Sequence, residues 1–174
     1  MTQALRWFSP VSGILGTDMK NALMIAFVVF VVDQATKWFV VFHLNLAQVG
    51  ALEVIPPYLN LRMAWNYGVN FGLLAADKPA TRWALIAVAL AICAGVLIWL
   101  RRAPMPLIAH ISAGFLVGGA LGNVIDRILY GAVADFLNMS CCGITNPFSF
   151  NVADISIFAG AIGLAIFAEG KRPA

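Results

Sequence analysis

Charge is what this sequence has least of. Asp, Glu, Lys and Arg make up 11% of the 174 residues, under half the roughly 25% usual in soluble domains. Neither a polar-surfaced soluble enzyme nor a disordered chain is expected from that. Basic residues never run longer than Arg101-Arg102, too short a stretch to track a phosphate backbone, so nucleic acid is excluded as a partner. Histidine occurs at His43 and His110 alone, on different segments and outside any H-E-x-x-H pattern, so no metal centre and no cofactor are expected. No G-x-S-x-G run offers a serine nucleophile. Of the three cysteines, Cys93 lies in an apolar run and reads as a small apolar residue. The adjacent Cys141 and Cys142 are too little to indicate a thiol enzyme.

What the chain does have is hydrophobic residues, 61% of the total, which makes the bilayer its solvent. A spanning helix needs about 20 mostly apolar residues, and four segments are read as spans: about 22–43, 83–100, 107–125 and 152–168. The third carries Gly114, Gly118 and Gly119, small residues that let helix backbones approach closely. Arg6, Lys20, Arg101, Arg102, Lys171 and Arg172 fall on one side of these spans; Arg62, Lys78, Arg82 and Arg127 fall in the longer loops on the other. The positive-inside rule then puts both termini in the cytoplasm and the loops 44–82 and 126–151 outside. Residues 1–20 read as a cytoplasmic tail, and the whole chain as one integral membrane domain.

The first outer loop is too long for a plain connector. Leu59, Leu61, Met63 and Trp65 alternate with Asn60, Arg62, Ala64 and Asn66, the period of a half-buried strand, after Pro56-Pro57 has stopped any helix. The stretch from Leu73 to Arg82 mixes apolar residues with Asp77, Lys78 and Pro79, the pattern of a short interfacial helix. The expected fold is an all-α polytopic membrane protein, with four transmembrane helices and, in the first outer loop, a small extracytoplasmic β-sheet and a short interfacial helix.

A charge near the centre of a span costs about 2.5–3.5 kcal/mol on insertion scales, so each one asks for a reason. Asp33 and Lys37 are one helical turn apart and can pair, either as a neutralising pair that snorkels outward or at a site. A second group gathers at the outer ends of the last two spans: Asn123, Asp126 and Arg127 close the third, Asp135 lies in the loop, and Asn151 and Asp154 open the fourth. One loop joins these ends, so Asp135 and Asp154 can meet at the outer surface. Two carboxyls a few Å apart share one proton, and the pair can deprotonate water while protonating a leaving group, with no metal. Taken singly, each Asp is also explained as an N-cap or a solvated loop carboxylate. Asp126 beside Arg127 reads as a structural ion pair.

These residues resemble a known family, the lipoprotein signal peptidases, also called signal peptidase II. Asp33-Gln34-Ala35-Thr36-Lys37 is similar to its D-Q-x-x-K element. Asn66 to Gly72 is similar to N-x-G-x-x-F-G, with Val69-Asn70 where the family commonly has two alanines. Gly122 to Phe136 fits G-N-x-x-D-R-x-x-x-G-x-V-x-D-F, and Phe150 to Ile157 fits F-N-x-A-D-x-x-I. The resemblance implies an aspartic endopeptidase of the bacterial cytoplasmic membrane that cuts diacylglyceryl-modified prolipoproteins just before the lipidated lipobox cysteine. It puts Asp135 and Asp154 on the catalytic dyad. Asn123, Arg127 and Asn151 fall on positions that line the site, and Asp33, Lys37, Asn66 and Gly68 on positions that support it. Lipidated prolipoproteins and membrane lipids are the implied partners, and the chain is expected to act as a monomer. Two rival readings remain from the residues alone: a small proton-coupled transporter, in which intramembrane carboxylates form a relay, and a structural or assembly-helper protein, in which the aspartates are dispensable.

Overall fold

The structure, a computed structural model, describes residues 16–68 and 79–168. Helix α1 (Thr17–Trp38) runs directly into one wide turn, Phe39–His43, closed by a 2.9 Å bond from the Leu44 N–H to the Phe39 carbonyl. A single helical turn, α2 (Leu46–Val49), leads into the antiparallel strands β1 (Ala51–Ile55) and β2 (Leu59–Asn66). Helix α3 (Pro79–Arg102) and helix α4 (Leu107–Tyr130) follow, then strand β3 (Val133–Met139) and helix α5 (Val152–Phe167).

Local chemistry accounts for the helix ends. Pro79 opens α3, where its missing N–H costs nothing. Gly131, at φ 81°, closes α4 by donating its N–H to the Arg127 carbonyl, a left-handed position that suits glycine. Asn151 caps α5: its side chain accepts the Asp154 N–H, and the Asp154 side chain accepts the Asn151 N–H.

Helix α4 is the core of the molecule, packed against α1, α3 and α5. The glycines expected to permit close approach do so. A Cβ on Gly118 would run into the Ala26 carbonyl of α1, and one on Gly119 would stand 2.5 Å from the Ala153 carbonyl of α5. By contrast α3 buries little beyond Ile86, Cys93 and Leu100, and large apolar side chains such as Phe27, Val88 and Phe158 point outward. Outward apolar faces of this kind are what a bilayer covers.

The helices differ in length and bounds from the expected spans. Among the described residues, three helices are long and apolar enough to cross a membrane: Thr17–His43, Pro79–Arg102 and Leu107–Tyr130. The fourth, α5, is apolar but has 16 residues, about 24 Å at 1.5 Å per residue. The first span begins at Thr17 rather than near Ala22, and the third runs five residues past 125, because nothing breaks the helix before Gly131. Of the interfacial helix expected at 73–82, residues 73–78 lie outside the described residues, while Pro79–Arg82 form the first turn of α3. Val69, Asn70 and most of the tail 1–20 are likewise outside them.

The sheet is not confined to the first outer loop. Its order is β1-β2-β3, and β3 comes from the second loop, carrying Asp135. Phe136 on β3 is buried with Val40 and Leu46, and Leu52, Leu61 and Met63 pack on them, so the sheet has its own small core against the end of α1.

Candidate active site

The register of β2 on β3 decides what Asp135 meets. Leu61 pairs with Leu137, but a bulge before Ala64 shifts the ladder by one residue, so that Ala64 opposes Asp135 and Asn66 opposes Val133. Had the first register continued, Met63 would oppose Asp135 and Trp65 would share its face, since side chains alternate with period two. The extra residue gives that face to Asn66 instead, and its Nδ2 donates to Asp135 Oδ2 at 3.1 Å. The expected alternation therefore stops at Met63: Trp65 is partly exposed and leans on Tyr130, with ring centres 5.8 Å apart.

Asp135 and Asp154 come together through Asn151. Its Nδ2 donates to Asp135 Oδ1 at 2.6 Å, and its main-chain N–H donates to Asp154 Oδ2 at 3.3 Å. Asn123 Nδ2 donates to Asp154 Oδ1 at 3.0 Å. Both carboxyls are buried. Burial first, and the neighbouring Asp154 charge second, push the Asp135 pKa up to about 7, against the opposing pull of its Asn66 and Asn151 hydrogen bonds and of the Lys37 charge.

Behind the two carboxyls lies a buried ionic cluster. Lys37 Nζ is 2.8 Å from Asp33 Oδ2 and 2.8 Å from Asp126 Oδ2, so the Asp33–Lys37 pair forms but does not snorkel. Asp126 pairs with Lys37 and not with Arg127, contrary to the sequence reading, because it faces α1. Arg127 instead donates to the Gly68 carbonyl at 2.7 Å and the Asn123 carbonyl at 3.3 Å. Its Nε is buried without a partner among the described residues. Gly68 is held in turn, its N–H donating to Asn66 Oδ1 at 3.1 Å.

Two residues that the sequence reading quoted within its motifs were given no role there. Gln34 donates to Asp126 Oδ1 at 3.0 Å and to the Gly122 carbonyl at 3.3 Å. Gly122 lies so close to the Asp33 carboxylate that a Cβ there would overlap Oδ2. The signal for Gln34 was its place in an apolar helix between two charged positions; the signal for Gly122 was a glycine one residue before a polar Asn. Among the described residues, no group of three or more His, Cys, Asp or Glu is placed to hold a metal ion. Cys141 and Cys142 are exposed and free, and Cys93 is buried and free.

Comparison with known proteins matches this arrangement to a family. A family model described as signal peptidase (SPase) II matches residues 25–168. The chain belongs to the signal peptidase II family. The lipoprotein signal peptidase of Methylorubrum extorquens (strain PA1) is 38% identical over 158 residues, spanning 91% of this chain and 90% of that protein. That of Caulobacter vibrioides (strain ATCC 19089 / CIP 103742 / CB 15) is 38% identical over 140 residues, 80% of each. A bacterial membrane enzyme solved by the in meso method at 1.9 Å resolution superposes with a TM-score of 0.71 at 28% identity, covering 84% of this chain and 91% of that one.

Membership in the signal peptidase II family makes the chain a hydrolase of the lipoprotein-processing kind, a protease carried on membrane-spanning helices. The transporter and assembly-helper readings fall away with it.

Proposed function

We propose that this signal peptidase II family member is an aspartic endopeptidase that removes the signal peptide from diacylglyceryl-modified prolipoproteins, cutting before the lipidated cysteine with Asp135 and Asp154 as the dyad. The observation that carries this reading is the single residue Asn151 holding both carboxyls, one through its side chain and one through its backbone. An ionised Asp154 takes a proton from water as the water oxygen attacks the scissile carbonyl. Asp135, holding the shared proton, gives it to the carbonyl oxygen; as the C–N bond breaks, Asp154 passes the proton it took from water to the departing amine and Asp135 recovers one from the diol hydroxyl, which restores the starting state. The products are a signal peptide ending in a carboxylate and a lipidated cysteine with a free amino group. The unpartnered Arg127 Nε–H beside these groups is a donor for a substrate carbonyl, and the Asn66–Gly68–Arg127 chain of hydrogen bonds keeps it in place.

The outward apolar faces of α3 and α5 support a substrate held in the bilayer. Ile155, next to Asp154, is half-exposed, so hydrocarbon and dyad are neighbours. Lys20, Arg101 and Arg102 at the far ends of α1 and α3 support cytoplasmic termini, with α5 as a fourth span and the dyad at the outer face of the bacterial membrane. One chain supplies all the groups named, which fits a monomeric single-domain enzyme. In vitro, the purified chain should cleave a diacylglyceryl-modified precursor and leave its unlipidated counterpart intact. Equal cleavage of both would remove the lipid from the recognition step.

The raised Asp135 pKa fixes a pH dependence. Below about 7 Asp135 keeps the shared proton; above it both carboxyls are charged and no proton is left for the carbonyl oxygen. The expected kcat/KM therefore falls with rising pH along a one-proton limb centred near 7, about tenfold per pH unit on its alkaline side. A kcat/KM that is still rising between pH 7 and 9 would contradict this assignment of the acid.

A further inference from the structure

The buried cluster behind the dyad has an unusual connectivity. Asp33 Oδ1 accepts the Ala153 N–H at 2.8 Å, and Ala153 immediately precedes Asp154. Asp126 Oδ2 accepts the Ala134 N–H at 3.2 Å, and Ala134 immediately precedes Asp135. Each carboxylate that Lys37 neutralises thus holds the backbone just before one member of the pair. Lys37 has one further contact, donating to Asn123 Oδ1 at 3.2 Å. An ammonium has donors and no acceptor, so it must face the oxygen of an Asn amide and never its NH2. The same oxygen also accepts Asn151 Nδ2 at 3.3 Å. With Oδ1 committed, Asn123 has its NH2 to offer Asp154, and that is the contact seen.

We propose that Lys37 is a positioning residue for the peptidase reaction: by fixing the polarity of the Asn123 amide, it makes Asp154 the hydrogen-bond acceptor and so the proton-taking partner, leaving the proton with Asp135. Without the ammonium only the 3.3 Å Asn151 bond still holds that oxygen, the preference for this orientation is weakened, and a turned-over Asn123 that presents its oxygen to a protonated Asp154 no longer leaves the two roles assigned. The inference rests on the dyad reading. It goes beyond a supporting role because it makes the charge of Lys37, and not its bulk, the active property.

The charged groups facing the pair are Lys37 and Asp33 from α1, Arg127 and Asp126 from α4, and Asp154 itself from α5. Among them Lys37 favours ionised Asp135, so removing it moves the alkaline limb upward.

The test is the pH profile of kcat and KM on the diacylglyceryl-modified precursor for Lys37→Met, Lys37→Arg and the double variant Lys37→Met/Asp126→Asn. The double variant removes a cation and an anion together, so it retains a folded reference if the single loss unfolds the protein. Expected in both Met variants is a kcat lower by about tenfold or more with KM little changed; the alkaline limb moves up by about one pH unit in Lys37→Met and by less in the double variant, where the loss of the Asp126 charge offsets that of Lys37. Lys37→Arg, which keeps the charge and the donors, should hold the limb near its native position. A limb that stays put in Lys37→Met, or a native kcat in the double variant, would leave Lys37 a structural residue and overturn the proposal. Failure of the dyad itself would show separately, as retained cleavage by Asp135→Asn.

Discussion

Asp135→Asn and Asp154→Asn are each expected to lower cleavage of a lipidated precursor by about 10²–10⁴-fold, the range of a lost general acid or base. An amide can neither carry the transferable proton nor take one from water. Geometry adds to the loss in both variants. Asp154 receives the Asn123 NH2 on one oxygen and the Asn151 N–H on the other, so an amide there sets a donor against one of these two donors, while the Asn151 side chain still caps α5. Asp135 receives Asn151 on one oxygen and Asn66 on the other, and meets the same conflict. The assay is the mobility shift of the precursor, run beside quantitation of the variant in the membrane fraction. Cleavage near the native rate by either variant, at normal abundance, would disprove the dyad.

Gly122→Ala should come next in effect, although Gly122 touches no reacting group. A Cβ at that position overlaps Asp33 Oδ2. The carboxylate cannot simply swing aside, because it is fully buried and held by the Ala153 N–H and by Lys37. Overpacking of this kind costs about 1–3 kcal/mol. The displacement passes through Ala153 to the first turn of α5, where Asp154 sits. A misplacement of about 1 Å at a reacting centre can cost roughly 10²-fold, and a loss of that size in kcat is expected. Gly95 provides the control: a Cβ there meets nothing within 4 Å, so Gly95→Ala should retain native activity and gain a little helix stability. Equal behaviour of the two alanine variants would show that the Gly122–Asp33 contact does not matter.

Much of the site was legible in the sequence because membranes make polar residues conspicuous. Asp33, Lys37, Asn123, Asp126, Asp135, Asn151 and Asp154 stand out in or beside apolar runs, and a charge in such a place must be paired or used. The pairing of Asp33 with Lys37 follows from helical spacing and is present. Which partner Asp126 takes was not legible. Arg127 is adjacent in sequence, but neighbours in a helix point in different directions, and the packing of α4 on α1 turns Asp126 to Lys37.

The third strand was equally hidden. Val133 to Met139 has no clean alternation, since both of its faces are largely buried, one against the end of α1 and the other around Asp135. A strand covered on two sides leaves no period-two signal.

The amino-acid sequence by itself determined that the chain is built from apolar helices and which few polar residues had to be accounted for. Composition and spacing are local properties, and the high cost of a polar group in hydrocarbon writes them plainly. The tertiary structure alone decided which oxygen meets which donor: the bulge in β2 that exchanges Trp65 for Asn66 beside Asp135, and the approach of α4 to α1 that gives Asp126 to Lys37. A one-residue change of register, or a rotation of one helix against another, leaves the local pattern of the sequence intact and alters every contact in the site.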